Sequence, residues 1–213
     1  MKYGILLGLS IALLSGCAST TPTRTTESAY MVIDVKGGTD IRNKLLNAII
    51  KEAQVNMSKL NVNRGVPPSS LPTSPQRFEL IDPFENSQMS GLMALAQASG
   101  ASTKIPSCKD PILTMQTTDD AREWGERTTF FICVVQYVDG YQVNMYTTFE
   151  QQTGGVSINA LSASLARTVV GDTSQVIPIT MDNIKTTIAN VGSNVTIVDS
   201  YIPENWKGLF SDI

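Results

Sequence analysis

The sequence contains no histidine. That excludes every mechanism built on an imidazole, including Ser-His-Asp and Cys-His nucleophiles and the His-Glu-x-x-His zinc helix. No serine stands three residues ahead of a lysine, so the Ser-x-x-Lys nucleophile is absent as well. There is no Asp-x-Asp-x-Asp calcium loop. Charge is scarce, with 16% of residues charged and 16 Lys+Arg against 19 Asp+Glu. A nucleic-acid partner is therefore not expected. A disordered chain is not expected either, because 42% of the residues are hydrophobic. A chain of 213 residues is one domain or a tight pair, long enough to bury a real core. No metal or other cofactor is expected.

What is present begins at the N-terminus. Lys2 supplies one positive charge, and Gly4 to Leu14 is almost wholly apolar. Such a run is too short for a bilayer, which takes about 20 apolar residues, and has the length of a secretory core. Leu14-Ser15-Gly16-Cys17 follows: an aliphatic residue, two small residues and a cysteine. This segment resembles the lipobox of bacterial lipoprotein precursors. The resemblance covers the first 17 residues alone. It implies that residues 1–16 are a signal peptide and that Cys17 becomes the lipidated first residue. Stable anchoring takes two or more acyl chains, each buried CH₂ contributing about 0.8 kcal/mol, and the lipid of this family meets that need. In the sorting pattern of such proteins an Asp after the cysteine retains the protein in the inner membrane, so Ala18 implies the outer one. Residues 17–28 then read as the lipidated Cys17 and a flexible tether, since Ser19 to Ser28 has no apolar periodicity. Residues 29–213 read as a single periplasm-facing domain.

Two cysteines remain, Cys108 and Cys133. In an exported domain they are expected to form one disulfide. A loop of about 25 residues between them would contribute about 3–4 kcal/mol on the chain-entropy account. A reactive cysteine would want a neighbouring base or a Cys-x-x-Cys spacing, and the sequence has neither.

The pattern along the domain predicts an α+β fold, with an antiparallel sheet packed on three to four helices. Ala29–Val35 reads as a strand. Lys36-Gly37-Gly38 breaks it, lacking the spacing and lysine of a phosphate loop, and Thr39 or Asp40 can cap a helix. Ile41, Leu45, Leu46, Ile49, Ile50 and Ala53 recur at helical spacing, and that helix is expected to end between Val55 and Leu60. Pro67, Pro68, Pro72 and Pro75 mark an extended loop, read as an ordered crossover rather than a ligand for a partner. Arg77–Ile81 reads as a strand, Ser90 to Ala98 as a short helix and Ile112–Met115 as a short strand. Met89 and Met93 are four apart, but thioethers without His or Cys partners are core filler rather than a metal pair.

Asp139-Gly140 between two alternating runs predicts a two-residue hairpin. Pairing outward sets Val138 opposite Tyr141, Gln136 opposite Val143, Val134 opposite Met145, Ile132 opposite Thr147 and Phe130 opposite Phe149. That face is expected to meet the core. The other carries Phe131, Tyr137 and Tyr146, the candidate contact patch. Its alternative is an aromatic layer packed under the chain that brings Cys108 to Cys133. After Gly154-Gly155, Ile158, Leu161, Leu165 and Val169 make a helical stripe. Val176–Ile179 reads as a short strand weakened by Pro178. Thr180 is expected to cap a last helix, closed by Gly192, and Val195–Ile202 reads as the final strand.

Asp119, Asp120, Glu123 and Glu126 read as acids at a helix start. They and Glu79, Asp82 and Glu85 are the candidates for a paired-carboxylate hydrolase, which needs a set separation that spacing cannot supply. The expected function is non-enzymatic: a membrane-anchored envelope lipoprotein serving as a scaffold or accessory subunit, with an envelope protein as partner. The alternatives are a periplasmic module binding peptidoglycan or a small ligand, and a hydrolase that works without histidine.

Overall fold

The computed structural model describes residues 23–57, 59–82, 104–121, 126–153, 173–192 and 194–204. They form eight strands and two helices. In chain order the elements are β1 (Thr23–Lys36), α1 (Thr39–Asn56), β2 (Asn61–Arg64), β3 (Glu79–Ile81) and β4 (Ile105–Ser107). Then come β5 (Leu113–Ala121), β6 (Glu126–Tyr137), β7 (Gly140–Thr153), α2 (Thr173–Val191) and β8 (Asn194–Tyr201). Six strands make one sheet in the order β2-β5-β6-β7-β1-β8, and β3 pairs with β4 in a small second sheet. Every pairing is antiparallel.

The expectation of an α+β fold on three to four helices is corrected. The described residues are built mainly of antiparallel β-sheet and carry two helices. The helices expected at Ser90–Ala98 and at Ile158–Val169, with the Met89/Met93 pair, lie outside the described residues. The strands are also longer than the apolar pattern implied. β1 starts at Thr23, so Thr23–Ser28 of the expected tether pair with β7 instead. β5 runs on through Asp119 and Asp120, and Glu126 opens β6, so these acids do not start a helix. The physical reason is the same in each case. Threonine is β-branched and suits a pleated strand without adding hydrophobicity. Thr23, Thr25, Thr26, Thr117 and Thr118 all lie in these extensions.

Both helices cover one face of the large sheet. Met31, Ile33 and Val35 of β1, Ile132 and Val134 of β6, and Val143 and Met145 of β7 meet Leu45 and Ile49 of α1 and Met181, Ile184 and Ile188 of α2 in one buried cluster. Full burial of such a side chain contributes about 1.5–3 kcal/mol. α1 starts behind Gly38, which occupies the N-cap without a side-chain hydrogen bond, so neither Thr39 nor Asp40 caps it. Asp40 lies in the first turn, where its charge complements the helix dipole. The helix ends at Asn56, inside the expected window.

α2 corrects the reading of residues 176–180. Val176–Ile179 is helical, and Thr180 is a fully buried interior residue rather than a cap. Pro178 removes one ladder bond near the helix start. Ile177, Met181, Ile184 and Ile188 keep a helical spacing through it, and their packing outweighs that loss. Gly192 closes the helix by donating to the Ile188 carbonyl at 2.9 Å.

The hairpin forms with its register moved by two residues. The turn is Val138-Asp139, and Tyr137 pairs with Gly140, Gln136 with Tyr141, Val134 with Val143 and Ile132 with Met145. A slip of two leaves every side chain on its expected face. The cause is on the neighbouring strand: Gly140 pairs with Lys36 of β1 as well as with Tyr137. It is a strand residue beneath a close backbone, not a turn residue.

Candidate functional site

The sheet face away from the helices is polar and aromatic, and a second layer covers much of it. The proline-rich loop from Gly65 leads across the hairpin end, where Val138 N–H donates to the Pro72 carbonyl at 3.0 Å. This is the ordered crossover. Asn144, fully buried on β7, then clamps the chain: its amide donates to the Gln76 carbonyl at 3.4 Å and accepts from Phe78 N–H at 3.3 Å. Phe78 inserts its ring against Tyr146 and Tyr30, with centroids 5.5 and 5.9 Å away. From the other side, Cys108 and Cys133 lie at disulfide distance, with 6.5 Å between their Cα atoms.

This layer overturns the expected contact patch. Phe131, Tyr137 and Tyr146 are 6%, 2% and 6% exposed, so none presents its ring to a partner. Phe131 and Tyr146 pack with Phe78, Val32 and Cys133 in a second buried cluster. The alternative reading, an aromatic layer packed under chain, is what the fold contains. The signal that pointed to it was the disulfide. Phe78, the covering side chain on the other flank, carried no such mark.

The covering chain creates an exposed cluster of its own. The Arg77 guanidinium lies 4.7 Å from the Tyr30 ring centroid and 5.5 Å from that of Phe78, and it pairs with Asp199 of β8. Tyr30 donates its hydroxyl hydrogen to the same carboxylate at 3.2 Å and stacks on Tyr201 at 6.3 Å. Tyr201 is 53% exposed, and about half of the Arg77 side chain is open to solvent. The Tyr30 hydrogen bond and, beyond it, Asp199 raise the Arg77 pKa and hold the charge. As a half-exposed ion pair the contact contributes at most about 1 kcal/mol to stability. As a rigid arginine between aromatic rings it has the chemistry that dominates protein interfaces. Sequence reasoning missed it because three separate segments supply it.

A second polar cluster lies at the far end of β1. Tyr137 donates to Asp34 at 2.6 Å and accepts from Lys36, which also pairs with Asp34 at 3.1 Å. Burial, then the bond to Asp34, raises the Tyr137 pKa. The Tyr137 hydrogen bond, then Asp34, raises that of Lys36. Both shifts oppose catalysis at neutral pH, since a lysine base or nucleophile needs a lowered pKa. The cluster locks β1 to the hairpin. Each group holds its proton more tightly folded than unfolded. Stability is therefore intact below the ordinary values of 10.0 and 10.5 and falls as pH rises past them. Tyr141 and Tyr146, raised by burial, add the same sign. The urea midpoint is expected to drop above about pH 10, and Tyr137→Phe should flatten part of that drop.

Of the acids considered for hydrolysis, Glu79 lies on β3 with Asp82 just beyond it, and Asp119, Asp120 and Glu126 lie on β5 and β6. Glu85 and Glu123 lie outside the described residues. Among the described residues no three His, Cys, Asp or Glu side chains gather as metal ligands, and no helix is long and apolar enough to cross a membrane. Comparison with protein-family models, curated proteins and solved structures finds no match for the chain.

Proposed function

We propose that the protein is a cell-envelope lipoprotein, held at the outer membrane by lipid on Cys17 and facing the periplasm, where it serves as a non-enzymatic scaffold or accessory subunit. The observation that carries this reading is Leu14-Ser15-Gly16-Cys17 directly behind the apolar run Gly4–Leu14. The Cys108–Cys133 pair supports it, because such bridges persist in oxidising compartments. The Arg77–Tyr30–Tyr201 cluster supplies a surface suited to a protein partner.

Cys17→Ala removes the acceptor thiol. The variant is expected to accumulate as an unlipidated precursor and to lose its salt-resistant, detergent-extractable membrane association. Mass spectrometry of the purified chain reads the modification directly. An unmodified amino end on the wild-type protein would overturn the anchor. The scaffold role is read separately. A stoichiometric envelope protein is expected to co-purify after gentle extraction and to be lost from Arg77→Glu, while Arg77→Glu stays folded and membrane-bound.

The binding-module alternative is favoured by one specific feature, a cavity beside the hairpin end lined by Ser70, Leu71, Pro72, Lys109, Asp110 and Gln136.

A further inference from the structure

β6 is paired along both edges for most of its length, but the β5 side opens near the hairpin. Ile112 N–H donates to the Val134 carbonyl at 2.8 Å, and Val138 N–H donates to the Pro72 carbonyl at 3.0 Å. The first bond leaves β6 at Val134, and the second leaves the turn residue next to its end. In an antiparallel ladder alternate residues turn their backbone N–H and C=O to the same side. Gln136, between Val134 and Val138, therefore turns its own pair the way Val134 does. β5 cannot meet it, because β5 begins at Leu113 opposite Val134 and the preceding chain bends away through Asp110, whose φ of 48° is left-handed. The proline-rich loop cannot meet it with Pro72, which has a carbonyl to offer Val138 but no N–H.

The space left over is the cavity, about 200 Å³, between that loop, Lys109 and Asp110. It is smaller than the roughly 300–1,000 Å³ of sites for drug-sized ligands. It equals six or seven waters at about 30 Å³ each. Its rim carries one cation and one anion.

We propose that this gap binds the end of a short extended peptide, whose backbone amide supplies the missing rung to Gln136. Three observations select that chemistry. The available groups are a donor and acceptor at strand spacing, which a peptide backbone satisfies in both directions. The rim charges cancel, as suits a zwitterionic or uncharged backbone. Finally, Ile112 and Pro72 close the gap at either end, so a chain end or dipeptide enters where a continuous strand cannot. The proposal deepens the binding-module alternative and is independent of the lipid anchor.

The probes are alanyl-alanine in its L,L and D,D forms and the L,L form methylated on its amide nitrogen. They are titrated into the isotope-labelled full chain in detergent while the Gln136 amide is followed by NMR. A saturable shift at Gln136 is expected, with slower hydrogen exchange there on binding. Methylating the peptide nitrogen should weaken binding at least tenfold. Ser70→Trp, an exposed loop change that fills the cavity, should abolish the shift. A preference for L,L assigns the natural ligand to protein termini, and a preference for D,D assigns it to cell-wall peptides. No shift at Gln136 up to ~20 mM, already the weak end of measurable affinity, would overturn the proposal. Equal binding of the methylated probe would do the same. So would a Gln136 amide in the free protein that exchanges as slowly as its bonded neighbours on β6.

Discussion

Gly140→Ala is expected to destabilise the domain by about 3 kcal/mol or more, far beyond the cost of an ordinary turn substitution. A Cβ at this position would stand 2.2 Å from the Val35 carbonyl oxygen and 3.1 Å from the Lys36 Cα. Both obstacles are backbone atoms of β1, which is hydrogen-bonded into the sheet between β7 and β8. No rotamer relieves the contact, so the β1–β7 ladder itself must shift. Were Gly140 needed only for a left-handed turn conformation, the cost would be about 1–2 kcal/mol. Chemical denaturation separates the two accounts. Asp139→Ala, one residue earlier in the exposed turn, is the control and should stay within about 0.5 kcal/mol. A loss at Gly140 no larger than the turn cost would show that β1 yields.

The same residue explains why the hairpin was legible and its register was not. An Asp-Gly pair between alternating runs located the connection and put each side chain on its correct face, because period-two alternation survives a slip of two. Whether the glycine sat inside the turn depended on Lys36, about a hundred residues away, and no local pattern carries that. α1 was legible because its stripe is long and its ends are sharp. α2 was half legible: Val176–Ile179 reads locally as extended chain even though Pro178 weakens a strand, and packing of Ile177 and Met181 decides for helix. The threonine-rich strand extensions were illegible because their signal is shape rather than hydrophobicity. Among the candidate site residues, the Cys108–Cys133 pairing was readable from the cysteine count together with the expectation of export. Phe131 and Tyr146 lie on the face that the alternation predicts, but they are buried there with Phe78, a side chain that no local pattern links to them.

The double change Cys108→Ala with Cys133→Ala is expected to cost about 3–4 kcal/mol for a bridge spanning a sequence separation of 25. The loss should concentrate in one layer. β3 and β4 are three residues each, and a two-stranded sheet of that size is marginal alone. It is held to the domain by Phe78 just before β3 and by Cys108 just after β4. Cys133 is fully buried in the middle of β6, so removing the bridge releases the flap without opening the helix-covered core. Hydrogen exchange should then accelerate at Glu79–Ile81 and Ile105–Ser107 well before β1, β6 and β7 respond. Arg77 adjoins Phe78, and its place between two rings depends on that flap lying flat. Reduction is therefore expected to loosen the exposed arginine cluster together with β3 and β4, so the partner binding proposed for Arg77 should weaken under reducing conditions even where the large sheet stays folded. An unchanged melting temperature in the double variant would mean that Phe78 and the Asn144 clamp hold the layer by themselves, and the coupling from bridge to arginine would fail with it.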